Sequence, residues 1–258
     1  MSFPIAVLRA ALFNLYFVLL TLVMGLAALW IRLFARRHAL AYARCWAGLS
    51  LAGLRHICGI RTVVSGLEHL PTAGPILIAS QHQSAFDALV WMNMVPRPAY
   101  VMKSELTRIP LVGPMLLLAG MIPIEREGGA RALRDLMRAT DQACADDRQI
   151  VIFPEGTRVL SDETVPLQPG VAALAIHARL QVLPVATDSG HCWSRRAFVK
   201  HPGTIHIDIA AAIPVGLRRG PLLAEIRRGW VVAKAHRTDD HPVDNLVGSF
   251  LGNGDEPG

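Results

Sequence analysis

The fold is indicated most clearly by the stretch Ile76-Leu77-Ile78-Ala79-Ser80-Gln81-His82-Gln83-Ser84-Ala85-Phe86-Asp87. Its first four residues are apolar and follow Gly74-Pro75, which is typical of a short buried strand. The residues after the strand predict a tight loop that carries His82 and a helix that begins near Asp87. In the first helical turn, Asp87 can reach back across the bend to the imidazole of His82.

This spacing of histidine and aspartate suits general base chemistry. A carboxylate can hold one ring nitrogen of a histidine while the other nitrogen takes a proton from a hydroxyl. The chain has ten histidines, and only His82 has an aspartate five residues later. Chance alone makes such a pair common in a chain of this composition, so the interpretation depends on the other motifs.

The composition favours a membrane-associated protein. Hydrophobic residues make up 52% of the 258 residues and charged residues only 18%, which is more apolar than an average soluble domain. The net charge of +6 points to anionic lipid surfaces before nucleic acid. The four cysteines are far apart and form no C-x-x-C pair, so neither a disulfide framework nor a metal site is expected.

The amino-terminal segment predicts a membrane anchor. No charged residue lies between Arg9 and Arg32, and the apolar span 10–31 is long enough to cross a bilayer. Because Arg32, Arg36 and Arg37 follow the span, the positive-inside rule places the rest of the chain in the cytoplasm. Crossing is slightly preferred here, and a helical hairpin inserted in one leaflet would use the same residues.

An alternation of short apolar strands and helical stretches begins near residue 61. It predicts an α/β fold with a largely parallel central sheet flanked by helices, behind the N-terminal helical membrane anchor. The expected organisation is membrane-anchoring helices over residues 1–58, an α/β domain over 59–238 and a disordered tail over 239–258. The expected strands are 62–64, 76–79, 99–102, 121–124, 150–153, 182–186 and 205–209, and the expected helices are 88–94, 105–119, 129–145 and 170–179.

Two further stretches place arginines just after predicted strands. In Phe153-Pro154-Glu155-Gly156-Thr157-Arg158, a turn follows an apolar strand and its arginine could bind a phosphate monoester. The alternative is an ordinary surface turn with a solvated arginine. Gly120-Met121-Ile122-Pro123-Ile124-Glu125-Arg126 is a strand that also leads to an arginine. The alternative there is a structural ion pair or a solvated side chain. Ligand sites of such sheets lie beyond the carboxyl ends of the strands, so one cleft could hold His82, Arg126 and Arg158.

Together these motifs resemble the lysophosphatidic acid acyltransferase family, the PlsC-like glycerolipid acyltransferases. The family's Asn-His-x4-Asp motif corresponds to residues 81–87, its Gly-led strand with a terminal Arg to 120–126, and its Phe-Pro-Glu-Gly-Thr-Arg motif to 153–158. A fourth motif, an apolar strand with a central proline, corresponds to 182–185. Gln81 replaces the usual asparagine, and Val159 stands where a serine often follows the third motif.

The resemblance implies transfer of an acyl group from acyl-CoA or acyl carrier protein to the sn-2 hydroxyl of lysophosphatidate. The product would be phosphatidate, made in phospholipid biosynthesis. His82 would be the base, and Asp87 would fix its tautomer. The remaining candidates would bind substrate: Arg126 and Arg158, with Lys103 as a weaker candidate, would neutralise the phosphate, and Glu155, Gly156 and Thr157 would position its glycerol end.

The resemblance also implies that no cofactor or metal is needed, because the acyl thioester is itself a substrate. Expected partners are the lysophosphatidate, the acyl thioester and membrane lipid, with the acyl carrier protein as one of the two candidate carriers of the acyl group, and no nucleic acid. The expected location is the cell's inner (cytoplasmic) membrane, with the catalytic domain on its cytoplasmic side.

Three alternatives stay open. An acyltransferase of the same family could act on another lyso-lipid, such as a lyso-aminolipid or lysophospholipid. A lipid hydrolase could use Ser84 with His82, although the chain has no Gly-x-Ser-x-Gly elbow. A lipid-binding protein without catalytic activity would have no reason to keep the histidine, the aspartate and the arginines together.

Overall fold

Two apolar helices form the amino-terminal part of the chain, and both pack on the rest of the protein. The computed structural model describes residues 3–125, 128–160 and 163–237. Helix α1 (Phe3–Phe34) is followed by α2 (Ala39–Gly53). Phe13 of α1 is fully buried in the main hydrophobic core, and Ala28 of α1 is buried against Ala39 of α2. The helical pair is therefore part of the folded body over most of its length.

Within the described residues, seven strands form one sheet with the order β1-β7-β6-β2-β5-β3-β4. The five strands from β6 to β4 are parallel to one another, and β1 and β7 are a parallel pair joined antiparallel to β6. The prediction of a largely parallel sheet is therefore confirmed. The strands are β1 (Ile60–Ser65), β2 (Ile76–Ser80), β3 (Pro98–Lys103), β4 (Ile122–Ile124), β5 (Gln149–Ile152), β6 (Val182–Thr187) and β7 (Gly203–Ile209).

Helices cover both faces of this sheet, as buried parallel strands require. One face carries α1, α2 and α3 (Phe86–Met94), where Trp91 is fully buried. The other carries α5 (Gly129–Ala145), α6 (Gly170–His177) and α7 (Arg219–Ala235) over a second apolar cluster. Strand β2 lies between β5 and β6, so the loop that follows it opens at the middle of the sheet. That loop contains His82.

Two helical regions differ from the sequence expectation. The single helix expected over 105–119 is a 3₁₀ turn (Ser104–Arg108) followed by α4 (Val112–Leu118). Pro110 separates them, because a proline restricts the residue before it to extended backbone and lacks an N–H. Helix α7 was not predicted, since Gly220, Pro221 and Gly229 obscure its helical pattern. Residues 239–258, predicted as a disordered tail, lie outside the described residues.

Candidate active site

His82 and Asp87 come together as their spacing predicts. The Nδ1 atom of His82 lies 3.1 Å from Oδ2 of Asp87, which stands in the first turn of α3 and is 2% exposed. A carboxylate can only accept, so this contact requires a hydrogen on Nδ1 and leaves the lone pair of the imidazole on Nε2. The side chain of His82 is 15% exposed to solvent, so a substrate can reach it.

The carboxylate of Asp87 also organises the loop itself. The same Oδ2 accepts hydrogen bonds from the backbone amides of Gln83 and Ser84, each at 2.8 Å. The Ser84 hydroxyl accepts from the amide of Phe86 at 3.2 Å, so the side chains of Ser84 and Asp87 both accept backbone amides at the start of α3. Three donors on one oxygen fix the carboxylate, and with it the orientation of the imidazole.

Ser84 is placed for structure. It is buried, and its hydroxyl donates to the hydroxyl of Ser189 at 2.9 Å, in the loop after β6. In the parts of the chain that the structure describes, none of its hydrogen bonds reaches His82. This geometry disfavours the hydrolase alternative, which needs the serine hydroxyl next to the imidazole.

The loop after β5 is tied to the loop after β2 at His82. The backbone amide of His82 donates to Oε2 of Glu155 at 2.7 Å, and its carbonyl accepts from the amide of Val159 at 2.8 Å. The imidazole also stacks on Phe153, with ring centroids 4.2 Å apart. The first and third sequence motifs, on neighbouring strands β2 and β5, therefore form one unit around the histidine.

Glu155 is a buried carboxyl with unusual electrostatics. It is 8% exposed, and burial raises its pKa from the usual range for a glutamic acid to about 7. The charge of Asp87 acts in the same direction, whereas the hydrogen bond from the His82 amide and the charges of Lys234 and Arg227 oppose it. The carboxyl is thus close to the midpoint of its titration at neutral pH.

Arg158 stands in the loop after β5, where it is influenced by the charge of Asp87. Partial burial lowers the pKa of its guanidinium, Asp87 raises it, and Arg195 in the loop after β6 lowers it further. A half-buried cation beside a second arginine is a suitable position for an anion. Gly156 supplies the turn with a φ of 72°, and Thr157 is exposed.

Lys103 and Arg126 are the other two cations predicted to bind phosphate. Lys103 is the last residue of β3, and its side chain is exposed. Arg126, which follows β4 in the sequence, lies outside the described residues.

Sequence reasoning missed the contribution of α7. Arg227 and Lys234 of this helix line a cavity of about 140 Å³ together with Gln81 and Glu155. Next to it, Arg237 pairs with Asp188 at 3.0 Å and with Asp208 at 2.8 Å. No local motif links Arg227 or Lys234 to the distant β2 and β5 loops, so the sequence alone does not indicate their place at this cavity.

The geometry supplies a base. Nε2 of His82 can accept a proton from a hydroxyl, and Asp87 can stabilise the imidazolium that results. Such a pair acts without a covalent enzyme intermediate when the substrate itself carries the attacking hydroxyl.

Comparison with known proteins identifies the family. Residues 61–188 match the family described as Acyltransferase. The 1-acyl-sn-glycerol-3-phosphate acyltransferase of Pseudomonas aeruginosa is 31% identical over 211 residues, which cover 78% of this chain and 82% of the relative. The human 1-acyl-sn-glycerol-3-phosphate acyltransferase alpha is 29% identical over 170 residues, covering 64% of this chain and 59% of that protein.

A solved structure has the same fold. The 1-acyl-sn-glycerophosphate (LPA) acyltransferase PlsC from Thermotoga maritima gives a TM-score of 0.69 at 22% identity, with 88% of this chain and 98% of that chain covered. The fold and the sequence match over most of the Pseudomonas relative therefore point to the same family. The chain belongs to the acyltransferase family, and the protein is an acyltransferase.

Proposed function

We propose that the protein transfers an acyl group from an acyl thioester to the sn-2 hydroxyl of lysophosphatidate, producing phosphatidate for phospholipid biosynthesis. The observation that carries the proposal is the contact between His82 and Asp87. The oxygen of Asp87 that makes this contact, Oδ2, is itself held by two backbone amides. Relatives named 1-acyl-sn-glycerol-3-phosphate acyltransferase support this choice of acceptor.

The reaction would proceed by direct attack. Nε2 of His82 takes the proton from the acceptor hydroxyl as its oxygen bonds to the thioester carbonyl carbon. The tetrahedral intermediate then collapses, the carbon–sulfur bond breaks, and the leaving thiolate takes the proton from the imidazolium. Asp87 keeps the imidazole in the required tautomer throughout.

The phosphate of the acceptor would be bound by arginines. Arg158 is supported by its half-buried position beside Asp87 and Arg195. We retain Arg126 and Lys103 as further ligands on the basis of the sequence motifs. Gly156 and Thr157 would shape the turn around the glycerol end, and Glu155 would position it through the backbone of His82. No cofactor is proposed.

The amino-terminal helices would hold this site at a membrane surface. The stretch Pro4–Phe34 is long and apolar enough to cross a membrane, and only 11% of its most apolar window is buried. Yet α1 contacts the α/β domain as well as α2: Phe13 packs on Trp193, Asn14 accepts a hydrogen bond from Lys200, and Ala28 lies in an apolar cluster with Met115. These contacts favour insertion of the exposed side into one leaflet over a crossing that leaves the domain.

The membrane would be the cytoplasmic membrane, with the catalytic domain on its cytoplasmic side. Acyl-CoA and acyl carrier protein would both be candidate acyl donors there. The other side of α1 exposes a continuous set of large apolar residues to the lipid: Leu8, Leu12, Leu15, Leu19, Leu22, Leu26, Leu29 and Leu33. Arg32, Arg36 and Arg37 at its end would contact anionic headgroups.

The test is a competition among acceptors. Purified protein in mixed vesicles receives a radiolabelled long-chain acyl thioester and equal amounts of lysophosphatidate, lysophosphatidylethanolamine and a lyso-aminolipid. We expect label in phosphatidate at least about tenfold above label in the other products, because only lysophosphatidate presents a phosphate monoester to the arginines. Label mainly in another product would contradict the proposed acceptor while leaving the acyltransferase chemistry in place.

A further inference from the structure

The contact between α7 and the catalytic loops has no role in the reaction as described so far. We infer that Lys234 is a positioning residue, which keeps Glu155 charged so that its carboxylate holds the backbone of His82 in place. The inference rests on the proposed function, in which His82 is the base, and assigns a part in it to a helix that carries none of the four sequence motifs.

Glu155 makes a hydrogen bond to the backbone of His82. Its Oε2 accepts the His82 amide at 2.7 Å, a length typical of a hydrogen bond to an ionised acceptor. Protonation would replace this charge-assisted bond with a weaker neutral one. The amide of Gln81, the residue before His82, donates to Val185 of β6 at 2.9 Å, so the Glu155 bond is the next backbone contact that holds the chain as it leaves the strand.

Charged groups of both signs face Glu155. Asp87, on the side of α3, disfavours its ionised form, and Glu163 lines the same cavity. Two cations oppose them, Lys234 and Arg227, and both belong to α7. Both cations that favour the ionised form of Glu155 against its burial therefore come from α7.

Of these two cations, Lys234 is the one available to Glu155. Arg227 donates to the carbonyl of Val165 at 2.5 Å, so its guanidinium is also engaged with the loop before α6. Lys234 is half-buried at the cavity, and in the described residues its ammonium forms no hydrogen bond and no ion pair. Its other acidic neighbours, Asp188 and Asp208, are already paired with Arg237. Glu155 has no direct ion pair among the described residues, so Lys234 is the charge best placed to stabilise it.

The sign of the pH dependence follows. Burial, with a smaller contribution from Asp87, raises the pKa of Glu155 to about 7 even though Lys234 and Arg227 oppose the rise, so the charged form increases as the pH rises through neutrality. Removal of the Lys234 charge raises that pKa, and a larger part of the protein then carries a neutral Glu155 at pH 7. Catalysis should fall at neutral pH and recover in alkaline buffer.

The experiment compares Lys234→Met with Lys234→Arg and with Arg228→Met. Arg228 is a charge-matched control, because it lies on the exposed side of the same helix and pairs with Glu225 at 2.5 Å. Each full-length variant is labelled with ¹³C at glutamate carboxyls, and the resonance that disappears in Glu155→Gln is followed over pH. The pH profile of kcat is measured in parallel with the preferred acceptor.

For Lys234→Met we expect the carboxyl midpoint and the acidic limb of kcat to move up together by about half a pH unit or more. Lys234→Arg and Arg228→Met should stay near wild type. In the Glu155→Gln background, Lys234→Met should not move the kcat profile further. An unmoved carboxyl midpoint, an equal shift in Arg228→Met, or a moved midpoint with an unchanged kcat profile would each overturn the inference. The carboxyl titration needs no substrate, so a wrong choice of acceptor would be recognised separately.

Discussion

At the scale of single residues, one carboxylate oxygen has two functions. Oδ2 of Asp87 receives the His82 imidazole and two backbone amides, so the same atom fixes the tautomer and closes the loop. His177 and Asp141 form a second histidine–aspartate contact at 2.9 Å on the exposed surface. The contact distances are similar, but His177 uses Nε2 and contacts both oxygens of an exposed carboxylate, which makes the second pair a control for a histidine–aspartate contact without the buried loop.

We predict that Asp87→Asn lowers kcat by at least about a hundredfold, because an amide no longer selects the tautomer with its lone pair on Nε2. Asp141→Asn should change kcat by less than about twofold. Acyl-transfer rates and thermal midpoints of both variants check this. Equal rates for the two variants would show that the buried pair has no special part in catalysis.

At the scale of elements, the site is an assembly of three loops at the carboxyl ends of β2, β5 and β6. His82 connects the first two, through Glu155 and Val159, and the Ser84–Ser189 bond connects the first to the third. The shape of the second loop depends on Gly156, whose φ of 72° is unfavourable for a residue with a side chain.

Gly156→Ala should therefore reduce activity by at least about tenfold and cost roughly 1–2 kcal/mol of stability. A new Cβ there would lie 3.0 Å from Cγ of Gln168, in addition to the backbone strain. Gly170→Ala is the matched control, since a Cβ at that position meets no other atom within 4 Å. Steady-state kinetics and thermal unfolding of the two variants test the difference, and a fully active Gly156→Ala would contradict the importance of this turn.

The same elements explain what sequence could predict. All seven strands and the His82–Asp87 contact follow from local patterns, because apolar runs mark buried strands and five residues can close a turn. Helix α7 carries Gly220, Pro221 and Gly229, so its pattern was weak, and tertiary packing against β6 stabilises it instead. The Glu155–Lys234 relation joins distant parts of the chain, and no local signal encodes it. The break at Pro110 was readable in principle, since proline restricts the residue before it.

At the scale of the whole molecule, α1 has one side packed on the catalytic domain and one side exposed. Its inner side contributes Phe13 to the core, and Lys200 contacts Asn14 of the helix while lying 5.0 Å from the Trp193 ring centroid. Its outer side remains apolar and exposed. Deletion of the segment up to Arg37 should thus weaken the fold as well as membrane binding. Substitutions on the exposed outer side of α1 should change membrane binding alone, because those residues do not pack in the core.

We predict that Leu19→Gln with Leu26→Gln, which are 50% and 54% exposed, lowers binding to anionic vesicles about thirtyfold. The reason is the loss of roughly 2 kcal/mol of apolar transfer free energy. Ile176→Gln with Val215→Gln, 49% and 56% exposed on the remote side, is the control and should leave binding unchanged. Vesicle sedimentation measures both, and equal loss in the two double variants would refute insertion through α1.

The most direct test of the central claim is acyl transfer to lysophosphatidate by the wild type, by His82→Ala and by His177→Ala. Each full-length protein receives the same long-chain acyl thioester in mixed vesicles, and phosphatidate is quantified. The account predicts phosphatidate from the wild type and from His177→Ala, and a loss of at least about a thousandfold for His82→Ala. Equal rates for His82→Ala and His177→Ala would contradict the role of His82 as the base.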